Sequence, residues 1–330
     1  YDEVLRGQNG LKLKETDVLG KVTSESIVDK PVDGQVIKLS IDAKVTEQLY
    51  NAMSSLARQS GFVGGAGVIM DTETGELLAL TSYPEYDQNA LTVGVDQKTF
   101  DQLINDPGKP FLDRVVGGLY TPGSILKPIV ALAALNERVI SPEKEILSTG
   151  SITVPNPYDP TKPSIFKDWK AHGLTDMREA IAVSSDTYFY SIGGGYKEQK
   201  GLGITQLDKY FRMFGLTEST GIELGGELEG VIPTPEWKAT KFDGDVWRLG
   251  DTYITSIGQY GTQVTPINAV RFIGAVANKG KLLKPSLALG GTPNPVEQEV
   301  FFFIDDDQLG SVRSRKSSSL IKIGKWCEKV

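Results

Sequence analysis

Apolar residues crowd one stretch of the chain without polar interruption. Residues 117–137 read GGLYTPGSILKPIVALAALNE, two glycines and a Thr-Pro-Gly turn followed by a run that is apolar all the way round. A Ser just before such a run, with Pro close by, marks a helix start, and an all-round apolar helix belongs inside a large core. Before it, residues 36–42 (VIKLSID) alternate as a strand does, and Asp42 stands where a cap begins a helix to about Gln59. Residues 64–70 and 76–82 flank the turn Asp71-Thr72-Glu73-Thr74-Gly75 and predict a β-hairpin. Residues 84–116 are polar and read as a loop at the rim of a cleft.

After the central helix, residues 141–175 read as irregular, with prolines at 142, 155, 157, 160 and 163. Residues 179–192 (EAIAVSSDTYFYSI) predict one helix with Ser184, Ser185 and Asp186 in its middle. Three polar residues inside an apolar helix are costly unless they face a polar cavity or bond locally. An amphipathic helix follows over 204–214, then a turn-rich stretch over 221–247 with exposed aromatics. A Gly-rich loop at 258–266 leads into a helix over 267–278 that Lys279-Gly280 should close. Residues 1–33 are charged and turn-rich and read as the end of a preceding domain or a strap. From about Asp305 the composition changes to a basic, serine-rich tail with little periodicity, either a flexible end or a segment foreign to the rest.

A chain of 330 residues can bury a sizeable core in one large or two smaller domains. Its net charge of −7 argues against a nucleic-acid partner, which would need a basic face. One cysteine, Cys327, precludes an internal disulfide, and no signal-peptide or membrane-spanning run is present. His172 is the sole histidine; with no Gly-x-Ser-x-Gly string to accept it, a Ser-His-Asp hydrolase is excluded. An ordinary zinc site wants several His or Cys ligands, and His172 reads as a surface or loop histidine without chemistry.

The remaining candidate base is lysine. Ser124 sits in the first turn of the central helix and Lys127 three residues on, on the same face. A lysine at the rim of a core loses solvation, which favours its neutral form, and beside a serine it makes an activated nucleophile. Ser-x-x-Lys alone is weak: it occurs also at Ser141/Lys144, Ser164/Lys167 and Ser319/Lys322, and its ordinary meaning is a helix cap with a snorkelling lysine. Only the copy at 124 opens a fully apolar helix.

With these residues in place, the chain resembles a class B penicillin-binding protein of the elongation type. The likeness runs in order through RGQNGLKLKETDVLG, VIKLSID, GAGVIMDTETGELLALTSYPEYD, LYTPGSILKP, AVSSDTYFYSIGG, GIELGGELEGVIPTPEWK and SIGQYGTQVTPINAVRFIGAVANKGKLLKP, about residues 1–290. The resemblance implies an α/β (α+β) fold, the penicillin-binding/serine β-lactamase-like transpeptidase fold, with an antiparallel sheet flanked by helices and its C-terminal strands missing. It implies three parts: residues 1–33 as the end of an N-terminal pedestal, 34–304 as an incomplete transpeptidase domain, and 305–330 as an atypical tail. It implies a D,D-transpeptidase that crosslinks peptidoglycan stem peptides and is acylated by β-lactams. Ser124 is then the nucleophile, Lys127 its base, Ser184 the relay to the leaving D-alanine, and Asp186 the residue that helps hold lysine and substrate. Ser184 and Asp186 match the second motif in its Ser-x-Asp form. No cofactor is implied; some relatives hold zinc near 168–185, but Ser185 stands where a cysteine ligand would be. The implied partners are a polytopic glycosyltransferase and rod-complex scaffold proteins, and the implied location is extracytoplasmic, on a membrane anchor outside this chain.

One departure stands out: no Lys-[Ser/Thr]-Gly string occurs, the nearest being Lys322-Ile323-Gly324 in the atypical tail. In the family that strand supplies a cation for the substrate carboxylate and an oxyanion-hole N–H, a contribution on the order of 3 kcal/mol. The chain thus reads as a truncated or frame-disrupted copy whose tail after about residue 307 is not native. Two other readings share the residues: a serine β-lactamase or penicillin sensor, which steady cephalosporin turnover would reveal, and a non-catalytic wall-assembly module, which penicillin would not label.

Overall fold

The computed structural model describes residues 1–156 and 159–290, together with the backbone of a short strand at 298–299. The tail from 305, with Cys327 and Lys322-Ile323-Gly324, lies outside the described residues. At the N-terminus, α1 (Asp2–Leu5) precedes a hairpin of β1 (Leu11–Thr16) and β2 (Val22–Asp29). Every residue of both strands is solvent-exposed. The charged, turn-rich pattern did not suggest this hairpin, because its ladder rests on backbone pairing and on cross-strand ion pairs from Lys12 and Lys14 to Glu25 rather than on an apolar face.

The strand predicted over 36–42 does not form. The segment is extended but changes partner midway: Ser40 N–H donates to Leu287 O, whereas Asp42 N–H donates to Leu78 O, so no ladder builds on either side. Asp42 does cap α2 (Ala43–Ser60), its carboxylate accepting from the N–H groups of Lys44 and Val45 at 2.9 and 3.1 Å. The predicted hairpin is present as antiparallel β3 (Gly65–Met70) and β4 (Leu77–Tyr83). Asp71 ties its turn by accepting from Glu73 and Thr74 N–H.

Residues 84–116 are not simply loop. They hold α3 (Gln88–Val93), α4 (Gln97–Asn105) and α5 (Arg114–Gly117), started by the side chains of Asp87, Asp96 and Asp113. Those three aspartates are N-cap signals that the overall polarity of the segment obscured. Val115 and Val116 on α5 join Met70, Leu77, Ile222 and Ile267 in a core beneath the hairpin.

The central helix α6 (Lys127–Asn136) follows a 3₁₀ turn at Gly123–Leu126, and every residue from Ile129 to Leu135 is buried. The stretch over 141–175 then forms two small antiparallel pairs: β5 (Ile146–Ser148) with β8 (Gly173–Thr175), and β6 (Ser151–Val154) with β7 (Ser164–Lys167). Pro142, Pro155, Pro160 and Pro163 fall in the connections, where no ladder N–H is needed. Strands of three and four residues are too short for alternation to reveal.

Next come α7 (Met177–Ala182), α8 (Asp186–Gly194), the amphipathic α9 (Gly203–Met213), α10 (Pro235–Lys241), α11 (Leu249–Ser256) and α12 (Pro266–Ala277), then β9 (Lys281–Leu282) paired with β10 (Gln298–Glu299). The expected single helix over 179–192 is thus two. Helix α11 was not foreseen because its buried face is Thr252, Tyr253, Thr255 and Ser256, a polar-looking set. It fits against α8 because Gly193 has no side chain: a Cβ there would lie 2.3 Å from that of Ser256. At the end of α12 the left-handed residue is Lys279, with φ 72°, and Gly280 N–H reaches back to Ala275 O, so the closure spans both residues. Around α6 pack Tyr188, Phe189, Tyr210, Phe211, Tyr253 and Phe272, the main core. The result is a mixed α/β fold of helices around short antiparallel sheets, with α6 running from the core to the surface at its N-terminal end.

Candidate active site

The start of α6 is where the core meets solvent. Ser124 lies in the 3₁₀ turn and is exposed. A 3₁₀ turn has three residues per turn and stacks positions i and i+3, so the turn sets Ser124 and Lys127 in line. Lys127 N–H donates to Ser124 O, closing that turn. The Lys127 side chain is only 2% exposed. Its ammonium donates to Asp186 Oδ1 at 2.6 Å, Ser184 O at 2.8 Å and Ser184 Oγ at 3.0 Å, with the Phe189 ring 5.4 Å away. Three acceptors match the three donors of an ammonium, so the buried charge is paired and hydrogen-bonded, as it must be.

The turn holding Ser124 is itself laced to the loop before α12. Tyr120 and Val264 exchange both backbone hydrogen bonds at 2.9 Å, and Gly123 N–H donates to Gly258 O at 2.8 Å. Gly258 adopts φ 72°, and a Cβ there would stand 2.2 Å from Gly123 O, so this contact requires glycine. Beside the turn opens a cleft of about 510 Å³ between Gly64–Ala66, Tyr120–Pro122 and the start of α12; Ser124 stands at its edge rather than in its lining.

Ser184, Ser185 and Asp186 occupy the break between α7 and α8. Ser184 takes the left-handed conformation, φ 54°, which ends α7. Ser185 caps α8 by accepting from Tyr188 N–H, and Asp186 falls in the first turn of α8, where the helix dipole favours an anion. Short polar side chains that bond their own backbone compete with a continuous helix, which is why one helix became two. Of the three, Ser185 makes the local bond anticipated, to Tyr188 N–H, whereas the side chains of Ser184 and Asp186 bond Lys127 across nearly sixty positions.

His172 lies in the connection between β7 and β8, as a loop histidine does, but its side chain is not on the surface. Its side chain is 2% exposed, its ring meets Trp169 edge-on at 5.0 Å, and Nε2 lies 3.4 Å from Asp168 Oδ1 without hydrogen-bond geometry. With β5 paired to β8, the Asp168 and His172 side chains turn inward, Asp168 against the start of α8, a long-range event that local pattern does not carry. Asp168 was likewise unforeseen as a hub: burial pushes its carboxyl up, but N–H donors at Thr187, Asp186 and Trp169 and the Ser185 hydroxyl outweigh that and hold it below the usual carboxylate range. Among the described residues no three His, Cys, Asp or Glu side chains gather as metal ligands do. Of the other Ser-x-x-Lys copies, Lys144 binds Gln199 at the surface, Ser164 and Lys167 are the ends of β7, and Ser319/Lys322 lies outside the described residues.

The arrangement offers an exposed hydroxyl at a helix start, a buried lysine in line with it, and a second hydroxyl and a carboxylate on that lysine, a set suited to acyl transfer through serine. Among the described residues no helix is long and apolar enough to cross a membrane. Comparison with known proteins agrees with this reading of the fold. The family described as penicillin binding protein transpeptidase domain matches residues 65–301. The peptidoglycan D,D-transpeptidase MrdA of Haemophilus influenzae is 34% identical over 289 residues, 87% of this chain but 42% of that protein, so the chain spans less than half of this relative's length. The complex between penicillin-binding protein PBP2 and MreC from Helicobacter pylori is similar with a TM-score of 0.74 at 32% identity, covering 89% of this chain and 51% of that one. PBP2 of Pseudomonas aeruginosa in complex with WCK 5153 gives a TM-score of 0.70 at 33% identity, covering 82% and 59%. The chain belongs to the family of penicillin-binding-protein transpeptidase domains.

Proposed function

We propose that this chain carries the acylating centre of a peptidoglycan D,D-transpeptidase of the elongation type, with Ser124 as nucleophile. The observation that carries the reading is Lys127, buried one 3₁₀ turn beyond Ser124 and bonded to Ser184 and Asp186. In the first half-reaction the Ser124 hydroxyl attacks the carbonyl of a D-Ala-D-Ala amide and gives its proton to Lys127, once the lysine has released to solvent the proton that its ammonium holds against Asp186. The carbon–nitrogen bond breaks, and Ser184, already bonded to Lys127, passes a proton to the departing amine of D-alanine. In the second, an amine of a neighbouring stem peptide attacks the ester, loses its proton back along the same path, and releases Ser124. Asp186 holds the lysine and stabilises its ammonium once it has taken the proton. The Ser124 N–H, which has no intrahelical partner at the start of the 3₁₀ turn, is the donor available to the developing oxyanion, since the Gly123 N–H is given to Gly258 O. A β-lactam enters the first half-reaction and stays as the ester.

The substrate lies outside the cytoplasmic membrane, so the domain works there, with a scaffold protein of the MreC kind and a polytopic glycosyltransferase as partners. The test is intact-mass analysis after incubation with a fluorescent penicillin, on the wild type and on Ser124→Ala. One adduct on the wild type and none on the variant is expected. No adduct on a protein shown to be folded overturns the proposal and favours the non-catalytic module, to which the absence of Lys-[Ser/Thr]-Gly also points.

A further inference from the structure

Two sets of contacts alternate along residues 183–187. The even residues face the lysine: Ser184 by its carbonyl and hydroxyl, Asp186 by its carboxylate. The odd residues face Asp168 and Trp169, and the backbone N–H of Asp186 also turns to the Asp168 carboxylate. Val183 O accepts from Trp169 Nε1 at 3.2 Å, Ser185 Oγ donates to Asp168 Oδ2 at 3.0 Å, and Thr187 N–H donates to the same oxygen at 2.9 Å. The Asp168 side chain is 0% exposed. It is anchored on its own side by Trp169 N–H to Oδ1 at 2.8 Å and by the Ser148 hydroxyl to Oδ2 at 3.4 Å.

Resting on the acyl-transfer reading, we propose that Asp168 is a positioning residue that, with the Trp169 indole, clamps the odd residues of 183–187 and thereby aims Ser184 and Asp186 at Lys127. Ser184 sits at φ 54°, a backbone state that a non-glycine residue keeps only where its surroundings over-determine it. The clamp supplies that determination from both sides of Ser184, and a single carboxylate oxygen spans Asp186 by holding the residues before and after it. Because reacting groups tolerate little displacement, a loosened clamp acts on the chemical step rather than on ligand capture.

The experiment compares wild type, Asp168→Asn and Ser185→Ala as purified chains. Hydrogen exchange is read over residues 183–188 and over α9. Acylation by a fluorescent penicillin is resolved into an equilibrium constant for capture and a rate constant for ester formation. Asp168→Asn is expected to speed exchange over 183–188 but not over α9, and to slow ester formation by roughly 100-fold with capture changed by less than about threefold. Ser185→Ala, which removes one clamp bond, should shift both readouts the same way by roughly tenfold; it decides the matter if Asp168→Asn does not fold. Unchanged exchange over 183–188 in folded variants overturns the clamp, as does a loss confined to capture. A wild type that takes no penicillin refutes the acyl-transfer reading alone, because exchange still decides whether the clamp exists.

Discussion

Lys127 Nζ and Asp186 Oδ1 stand 2.6 Å apart, with the lysine side chain 2% and the aspartate side chain 20% exposed. A pair so placed contributes less by its own attraction than its breakage costs, since removing one partner strands the other away from water. Asp186→Ala should therefore destabilise the protein by about 3 kcal/mol, whereas Lys127→Met with Asp186→Ala should recover much of that loss. Urea unfolding of the two single variants and the double variant checks this; equal or greater loss in the double variant refutes it.

Ser184 separates backbone strain from side-chain chemistry. At φ 54° glycine is at ease and alanine is not. Ser184→Gly should be more stable than Ser184→Ala by about 1 kcal/mol, although both lose the hydroxyl that meets Lys127 and should acylate poorly. The measurement is the difference in urea midpoint at equal slope.

Gly258→Ala tests the lacing of the nucleophile turn. Its Cβ would fall 2.2 Å from Gly123 O at a positive φ, so the loop must move and take Gly123 with it. A stability loss of about 2 kcal/mol or more is expected, with penicillin labelling of Ser124 slowed more than the stability loss explains. A crystal structure or labelling rate indistinguishable from wild type would contradict this.

Stability should fall at both ends of the pH scale for identifiable reasons. Asp168 is held below its ordinary value of 3.8, so its contribution is present above that value and is lost as pH falls through the folded-state value. Tyr253 runs the other way: burial pushes its hydroxyl from 10.0 up to about 12, so its contribution is complete below about 10 and disappears as pH rises toward 12. Urea midpoints across pH 3–7 and 9–12, with Asp168→Asn and Tyr253→Phe as controls, should show each slope flatten in its own variant.

What could be read from the chain alone was local. Asp42 capping α2, the Asp71–Gly75 turn between β3 and β4, and the buried run from Ile129 to Leu135 each depend on residues within a few positions of one another. Ser124, Lys127, Ser184 and Asp186 were marked by helix placement and by family likeness, and the fold joins Lys127 to Ser184 and Asp186 across about sixty positions. The tertiary structure decided the rest. Residues 36–42 failed to become a strand because their two partners, Leu287 and Leu78, pull different ends. Residues 179–192 split where Ser185 caps a new helix, and the Asp168 carboxylate, delivered by β5–β8 pairing, gives Ser185 and Thr187 a partner that the local pattern does not announce. His172 and Asp168 look like surface polar residues in sequence and are buried by that same pairing. Short-range geometry is written in neighbouring residues, whereas burial and hydrogen-bond partners depend on segments brought together only when the core around α6 closes.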